Sequence, residues 1–246
     1  MKRHIPNFVT LLNVFCGSIA VIFAVNGNMK LTALFVFLGV FFDFFDGLLA
    51  RKLKVQSNLG LQLDSLADMI TSGLVPGLVM YKLFQLSIDF QVNLTLGSMW
   101  SVDSFFDGLN LYPLPFLGLL ITLASAYRLA NFNIDSNQTN VFIGLPTPAN
   151  ALLILSLPLI MEYQNSDIMN AIILNKWFLI AVTLISCYLL NANIKLLALK
   201  FKNWSFKDNA TRYILIILAA ILIIILQFAA IPLIILVYII ISLLNK

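Results

Sequence analysis

Charged residues are scarce in this 246-residue chain: Asp, Glu, Lys and Arg make up 11% of it, against about 25% in an ordinary soluble domain. Hydrophobic residues account for 61%, and the mean hydropathy is +0.96. Because apolar runs recur from one end of the chain to the other, a soluble domain with a single anchor is excluded. The composition predicts an all-α, polytopic integral membrane protein.

Cysteine and histidine are almost absent. The two cysteines, Cys16 and Cys187, lie inside apolar runs, which argues against a disulfide framework or a zinc site. His4 has no second His or Cys nearby, so we expect no metal role for it. The first apolar run contains Asn13 and lacks a small-x-small cleavage site, so we expect a retained helix rather than a secretory signal.

Stretches of about 20 apolar residues cross a bilayer as helices. The final apolar run, from Tyr213 to Leu244, is too long for one untilted helix, and "QFAAIP" (Gln227 to Pro232) offers a turn that would make it a hairpin. The predicted spans are therefore 8–26, 31–50, 62–83, 112–131, 147–162, 175–192, 212–227 and 229–245.

The basic residues predict the orientation, because cytoplasmic loops accumulate Lys and Arg. With the amino terminus inside, twelve of the 15 Lys and Arg residues are cytoplasmic, and the outer side keeps only Lys30, Lys82 and Lys176. The connection between the second and third spans is then cytoplasmic. We expect a protein of a bacterial inner or plasma membrane whose functional residues face the cytoplasm.

Four of the 11 acidic residues lie in "DFFDGLLARKLKVQSNLGLQLDSLAD", from Asp43 to Asp68. Asp43 and Asp46 share a face at the end of the second span, and Asp64 and Asp68 share one at the start of the third. The short loop Lys52 to Leu59 folds the helices back antiparallel, so both faces can point into one pocket. Four carboxylates there would repel one another, and two divalent cations such as Mg²⁺ would remove that repulsion.

Two other interpretations stay open: the aspartates could be solvated helix ends, or they could mark a cation or proton pathway in a transporter. The intervening residues favour an enzyme. Gly47, Ala50 and Gly60 leave room for a flat group near the backbone, and Arg51 offers a planar fork suited to phosphate oxygens. Together with the carboxylates, these residues describe a site for a nucleotide diphosphate.

The same stretch resembles the signature D-x-x-D-G-x-x-A-R-x8-G-x3-D-x3-D of the CDP-alcohol phosphotransferase family. All eight fixed positions match: Asp43, Asp46, Gly47, Ala50, Arg51, Gly60, Asp64 and Asp68. Members of that family transfer a phosphatidyl or related group from a CDP-linked donor to an alcohol and release CMP. The resemblance implies a homodimer and a six-helix membrane core in residues 1–192. The predicted cytoplasmic loop and transmembrane hairpin in 193–246 would be additions to that core.

Three further stretches resemble the phosphatidylserine synthase subfamily, which implies transfer from CDP-diacylglycerol to L-serine. They are "IPNFVTLLNVFCG" (5–17), "LDSLADMITSGLVPG" (63–77), and "AYRLANFNI" with "FIGLPTPAN" (126–134 and 142–150). Asn13 stands where many relatives that use glycerol phosphate carry Arg, and Asn131 departs from the pattern, which has a basic residue there. An acceptor such as glycerol 3-phosphate or inositol phosphate would need more basic residues, but it remains an alternative, as does a cation-coupled transporter.

The resemblance also implies roles for individual residues. Two divalent ions, Mg²⁺ or Mn²⁺, would surround the donor's pyrophosphate, held by Asp43, Asp46, Asp64 and Asp68. Asp68 would also be the general base that takes the proton of the serine hydroxyl. The cytidine would lie against Gly47, Ala50 and Gly60, with Arg51 on a phosphate.

Two candidate substrate contacts lie outside the signature, and each has a structural alternative. Asn13 could contact the nucleotide or pair with a neighbouring helix. Arg128 could bind the serine carboxylate or a substrate phosphate, or it could snorkel to the interface. "GLPTPAN" could be only a turn and a helix start, and Gly73 and Gly77 could serve helix packing.

Overall fold

The structure is a computed structural model that describes residues 4–96, 113–134, 142–197 and 206–244. Most of these residues are helical. The helices are α1 (His4–Val25), α2 (Met29–Lys52), α3 (Asn58–Asp68), α4 (Val75–Leu96), α5 (Leu120–Ile134), α6 (Thr147–Tyr163), α7 (Asp167–Ile173), α8 (Lys176–Asn191), α9 (Phe206–Leu226) and α10 (Ala230–Leu244).

The prediction of an all-α polytopic membrane protein is confirmed. Within the described residues, five helical stretches are long and apolar enough to cross a bilayer, or six if α7 and α8, which meet at a bend of 58°, form one span. One short strand pair was not predicted. β1 (Phe142–Ile143) pairs antiparallel with β2 (Lys195–Leu196), and two-residue strands leave no periodic signal in a sequence.

A π-helical turn, Met69–Leu74, joins α3 to α4 and was also missed. The backbone N–H of Val75 bonds to the Ile70 carbonyl, which is one residue wider than an α-helical bond. Pro76 follows at once. Because proline has no N–H and its ring clashes with the carbonyl four residues earlier, a widened turn accommodates it without ending the span.

The interior of the bundle is apolar but rich in small and hydroxyl-bearing side chains. The main core draws on α1, α2, α4, α6 and α8, with Met80, Leu83 and Phe84 of α4 fully buried. Many large apolar side chains point outward, among them Ile224 at 80% exposure. Lipid is as apolar as leucine, so such a bundle gains most from close packing of small residues.

The carboxyl-terminal helices meet at a three-residue 3₁₀ turn, Gln227–Ala229, where Gln227 has a φ of +48°. The Gln164 amide at the end of α6 bridges this turn: Nε2 donates to the Leu226 carbonyl (2.9 Å), and Oε1 accepts from the Ala229 N–H (3.0 Å). The turn falls within the predicted "QFAAIP" segment.

The membrane orientation stays a prediction. Five of the basic residues used to predict it lie outside the described ranges: Lys2, Arg3, Lys200, Lys202 and Lys246.

The contact between α4 and the 3₁₀ segment Leu114–Leu119 depends on Gly118. A Cβ there would lie 2.5 Å from the Tyr81 nitrogen and 2.9 Å from the Met80 carbonyl carbon, both backbone atoms that cannot rotate away. We expect Gly118→Ala to destabilise the fold by about 1–3 kcal/mol through overpacking. Thermal unfolding of the detergent-solubilised protein measures this.

Gly47→Ala is the matched control, because a Cβ at Gly47 would meet nothing within 4 Å. Its unfolding temperature should equal or slightly exceed that of the unaltered chain, because Gly47 lies within α2 and alanine is the better helix former. Equal unfolding temperatures for Gly118→Ala and Gly47→Ala would show that the α4 contact is not as tight as described.

Candidate metal and substrate site

The candidate site forms where the chain turns back between α2 and α3. The connection, residues 53–57, is closed by the Val55 N–H bonding to the Ala50 carbonyl (3.0 Å). Ser57 then starts α3, its hydroxyl oxygen accepting from the Gly60 N–H at 3.1 Å as an N-cap. α1 packs against both α2 and α3, so the carboxylates of the two helices face a shared crevice.

Three of the four predicted aspartates meet in that crevice. Asp43 and Asp46 of α2 and Asp64 of α3 each place one carboxylate oxygen within 4.8 Å of the other two. Asp43 and Asp64 are half-buried, whereas Asp46 is 4% exposed. Its buried Oδ2 has no hydrogen-bond partner within the described part of the chain. An all-oxygen donor set with an unpartnered buried oxygen fits a hard divalent cation.

Asp68 lies one helical turn beyond Asp64 and is not part of the three-residue cluster. It is close enough to Asp43 and Asp64 to interact with both electrostatically. Its Oδ2 accepts a long hydrogen bond from the Thr147 hydroxyl (3.5 Å), and its buried Oδ1 has no partner in the described ranges. One oxygen of Asp68 is therefore positioned by the protein, and the other is available to a proton or a ligand.

The residues predicted to contact the donor lie on the open side of the crevice. Gly47 faces empty space, since a Cβ there would meet nothing within 4 Å. Arg51 is exposed, and its Nε donates to the Gly47 carbonyl at 3.0 Å, while its two terminal guanidinium nitrogens make no hydrogen bond or ion pair with the described residues. Ala50 on α2 and Gly60 on α3 are half-buried, and a Cβ on Gly60 would stand 3.3 Å from Asn7 Oδ1 and from Ser57 Oγ. This side can admit a flat group with a phosphate beside it.

Arg128 of α5 lies beside Asp68. It is 9% exposed, interacts electrostatically with Asp68, and has an Nε without a partner among the described residues. Arg128 also lines a cleft of about 70 Å³, together with Asn131, Phe132, Ile143, Leu190, Asn191 and Ala192. The burial of this guanidinium beside a carboxylate favours the interpretation in which Arg128 binds an anionic group in the cleft over the one in which it snorkels to the interface.

Asn13 lies deeper than its predicted contact with the nucleotide would require. Its side chain is fully buried, and Oδ1 accepts from the Thr71 hydroxyl at 2.7 Å. A Cβ on Gly39 would stand 2.8 Å from that same oxygen, so α1, α2 and the π turn are closely packed around it. These contacts favour the alternative in which Asn13 pairs with a neighbouring helix. Gly73 and Gly77 likewise contact α5, at Ser125 and Thr122.

Thr147 is the site residue that the sequence argument missed. It lies in "GLPTPAN", which the sequence presents as a turn and a helix start, and it is indeed the first residue of α6. The signal in the sequence was a hydroxyl-bearing residue directly after Pro146. In the structure Thr147 is 1% exposed. One turn further on, Asn150 is fully buried, and neither of its side-chain polar atoms has a partner in the described residues.

Comparison with known proteins decides the family. The sequence profile of CDP-alcohol phosphatidyltransferases matches residues 3–188. The chain belongs to the CDP-alcohol phosphatidyltransferase family. The matched region includes all four aspartates and Arg128, and it stops before the last two helices of this family member.

Several curated proteins are similar to this CDP-alcohol phosphatidyltransferase. A CDP-diacylglycerol–serine O-phosphatidyltransferase of Bacillus subtilis is 34% identical over 59% of this chain and 70% of its own length. One of Methanocaldococcus jannaschii is 30% identical over 69% of this chain and 66% of its own. An archaetidylserine synthase of Methanothermobacter thermautotrophicus is 27% identical over 62% of this chain and 56% of its own length. The chain thus matches about two thirds or less of the length of the last two.

The carboxylate cluster predicts stabilisation by divalent cations. Added Mn²⁺ or Mg²⁺ should raise the unfolding temperature of the protein, because a ligand that binds the native state and not the unfolded state stabilises the native state. Asp46→Asn should abolish most of this shift, since it removes a charged oxygen from the cluster.

Asp89→Asn is the control: Asp89 is an exposed carboxylate at the far end of the span that begins at Asn58. It should leave the metal-dependent shift unchanged. An equal loss of the shift in both variants, or no shift in the unaltered protein, would contradict a metal site at the cluster.

Proposed function

We propose that this CDP-alcohol phosphatidyltransferase transfers the phosphatidyl group of CDP-diacylglycerol to the hydroxyl of L-serine, giving phosphatidylserine and CMP. The observation that carries the proposal is the crevice in which three carboxylate oxygens gather within 4.8 Å, beside open Gly47 and buried Arg128. The names of the bacterial and archaeal relatives state this class of reaction for those proteins, and their similarity supports serine as the acceptor here.

Four aspartates would hold two divalent ions, Mg²⁺ or Mn²⁺. Asp43, Asp46 and Asp64 supply the closely gathered oxygens. Asp68 would complete the set through Oδ2, which keeps a lone pair beyond its bond from Thr147, so that Oδ1 stays free for a proton. When bound, the ions would neutralise the charge that builds on the transferred phosphate and on the departing CMP.

The donor nucleotide would enter on the open side of the crevice. The cytidine lies against Gly47, Ala50 and Gly60, and the Gly47 backbone can be approached closely because no side chain covers it. Arg51, held by its Nε on the Gly47 carbonyl, presents its terminal nitrogens to a phosphate. The acyl chains stay in the bilayer beside the exposed apolar residues of α2.

Asp68 is the proposed general base. Thr147 fixes Oδ2 of its carboxylate, and the other oxygen takes the proton of the serine hydroxyl. The serine oxygen then bonds to the phosphorus that bears diacylglycerol, and the bond from that phosphorus to the CMP oxygen breaks. Arg128 binds the serine carboxylate or a substrate phosphate from the adjoining cleft; Asn13 contributes as a contact of α1 with the π turn.

The placement in the membrane is part of the proposal. The charge bias of the loops supports a site that faces the cytoplasm, in a bacterial inner or plasma membrane. Residues 1–192 form the catalytic core and 193–246 an added segment, and the enzyme works as a homodimer, as its family resemblance implies.

The direct test is CMP release by the purified protein from CDP-diacylglycerol and Mn²⁺ or Mg²⁺, with L-serine, glycerol 3-phosphate or no acceptor. We expect release that requires both metal and serine. Release with glycerol 3-phosphate alone would keep the family and overturn the acceptor. Absence of release from folded protein in every condition would overturn the proposed activity and favour a cation-coupled transporter.

Asp68→Asn should lower kcat by about 10²–10⁴-fold, the usual contribution of a positioned base. Donor affinity, measured by displacement of a labelled CDP-diacylglycerol, should change much less, because the three-carboxylate cluster is intact. A kcat near that of the unaltered enzyme would refute the base assignment.

Arg51→Ala should mainly weaken the donor complex, raising its dissociation constant about 10-fold, as loss of a charged hydrogen bond does. Lys52→Ala is the neighbouring control, since Lys52 is also exposed but lies outside the signature. Equal donor affinity in the Arg51 and Lys52 variants would contradict the phosphate role of Arg51.

A further inference from the structure

Two hydroxyl side chains of the last helix, α10, bind the backbone of a single residue. The Tyr238 hydroxyl donates to the Leu197 carbonyl at 3.0 Å, and the Leu197 N–H donates to the Ser242 hydroxyl oxygen at 3.1 Å. The Ser242 hydroxyl in turn donates to the Tyr238 carbonyl at 2.7 Å. Both polar backbone groups of Leu197 are thus hydrogen-bonded to α10, and the two bonds together hold Leu197 against that helix.

Leu197 directly follows β2, which carries this restraint to the loop before α6. Phe142 pairs with Leu196, and Ile143 pairs with Lys195. Buried Leu145 and Leu196 share a small core with Ile235 and Ile239 of α10. The strand pair is therefore clamped to α10 by apolar contacts as well as by hydrogen bonds.

The loop after β1 is held on its other side by α8 and the residues that follow it. The Gly144 N–H bonds to the Ile194 carbonyl at 2.9 Å, and the Leu145 N–H bonds to the Leu189 carbonyl at 2.8 Å. Gly144 has a φ of +71°, and a Cβ there would stand 2.6 Å from the Leu190 carbonyl oxygen. Little freedom is left to this loop once β2 is in place.

Thr147 lies two residues beyond Leu145 and donates to Asp68 at 3.5 Å. A continuous set of contacts therefore runs from α10 through Leu197, the strand pair and residues 144–146 to Thr147 and Asp68. This bond is long for a hydroxyl and a carboxylate, so a small displacement of the loop would break it.

We propose that α10, which lies outside the family match at residues 3–188, positions Asp68 for the transfer reaction, with Tyr238 and Ser242 as its positioning residues. The hydroxyls of α10 fix Leu197, Leu197 fixes the loop before α6, and the loop fixes Thr147 on the carboxylate. The catalytic part of this inference rests on the proposed function; the mechanical link does not.

The mechanical link is tested by hydrogen exchange of the full-length protein, with Tyr238→Phe and Ser242→Ala combined. Exchange should accelerate at the amides of Leu197, Gly144 and Leu145, which lie along the set of contacts. The Ala229 amide, held by Gln164 at the other end of α10, should keep its protection and so show that the helix remains docked.

The matched control combines Tyr188→Phe and Ser18→Ala. Tyr188 is 67% exposed on α8, and Ser18 makes an intrahelical bond to the Val14 carbonyl, as Ser242 does to Tyr238. Exchange at the three amides should be unchanged in this control. Unchanged exchange at Gly144 and Leu145 in the α10 variant would overturn the proposal, as would equal acceleration in the control.

The catalytic part is tested by a double-mutant cycle on serine-dependent CMP release. Tyr238→Phe alone should lower kcat about 3- to 10-fold, the range of one neutral hydrogen bond, with little change in KM for the donor. In a Thr147→Val background the same substitution should have no further effect, because coupled residues are non-additive.

If the kcat reduction of the double variant equalled the product of the two single reductions, Tyr238 would not act through Thr147, and the positioning role would be wrong. A chain that releases no CMP at all would refute the proposed function. The exchange measurement would still decide whether α10 holds the loop, so the two failures are distinguishable.

Discussion

Mutual repulsion among carboxylates is the constraint on which the rest of this structure depends. Asp43, Asp46 and Asp64 bring oxygens within 4.8 Å of one another at the ends of apolar helices, with Asp68 next to them. Unpaired charges are costly to remove from water, and like charges this close oppose folding. The chain supplies only Arg128 as a buried counter-charge among the described residues. The proposed pair of bound divalent cations would remove both costs.

The surrounding fold holds these groups in place against their repulsion. The Ser57 cap starts α3 directly after the turn, and α1 supports α2 and α3 together. Immediately after Asp68 the helix widens into a π turn, which the Asn13–Thr71 hydrogen bond anchors to α1. π turns inside α-helices often lie at functional sites. Here the turn fixes the backbone next to the proposed base, while the hydroxyl of Thr147 fixes its side chain from α6.

Much of this could be predicted from the sequence, for identifiable reasons. Long apolar runs determine helices in a bilayer, so most predicted helix limits agree with the structure to within a few residues. Eight spans were predicted, however, and only five or six helical stretches in the described part of the chain are long and apolar enough to be spans. The spacing of the aspartates on two helical faces predicted their meeting. The contact of Thr147 with Asp68, the Thr71 partner of Asn13 and the strand pair at Ile143 could not be predicted, because each joins segments far apart in the chain. The third predicted span ends at residue 83, whereas α4 continues to Leu96, because the sequence offers no turn signal at residue 83.

The most direct test of the central claim is anomalous diffraction from crystals of the protein grown with Mn²⁺. Manganese peaks are expected between the carboxylates of Asp43, Asp46, Asp64 and Asp68. Manganese found only elsewhere, in an enzyme that is active with Mn²⁺, would contradict a metal site at these aspartates.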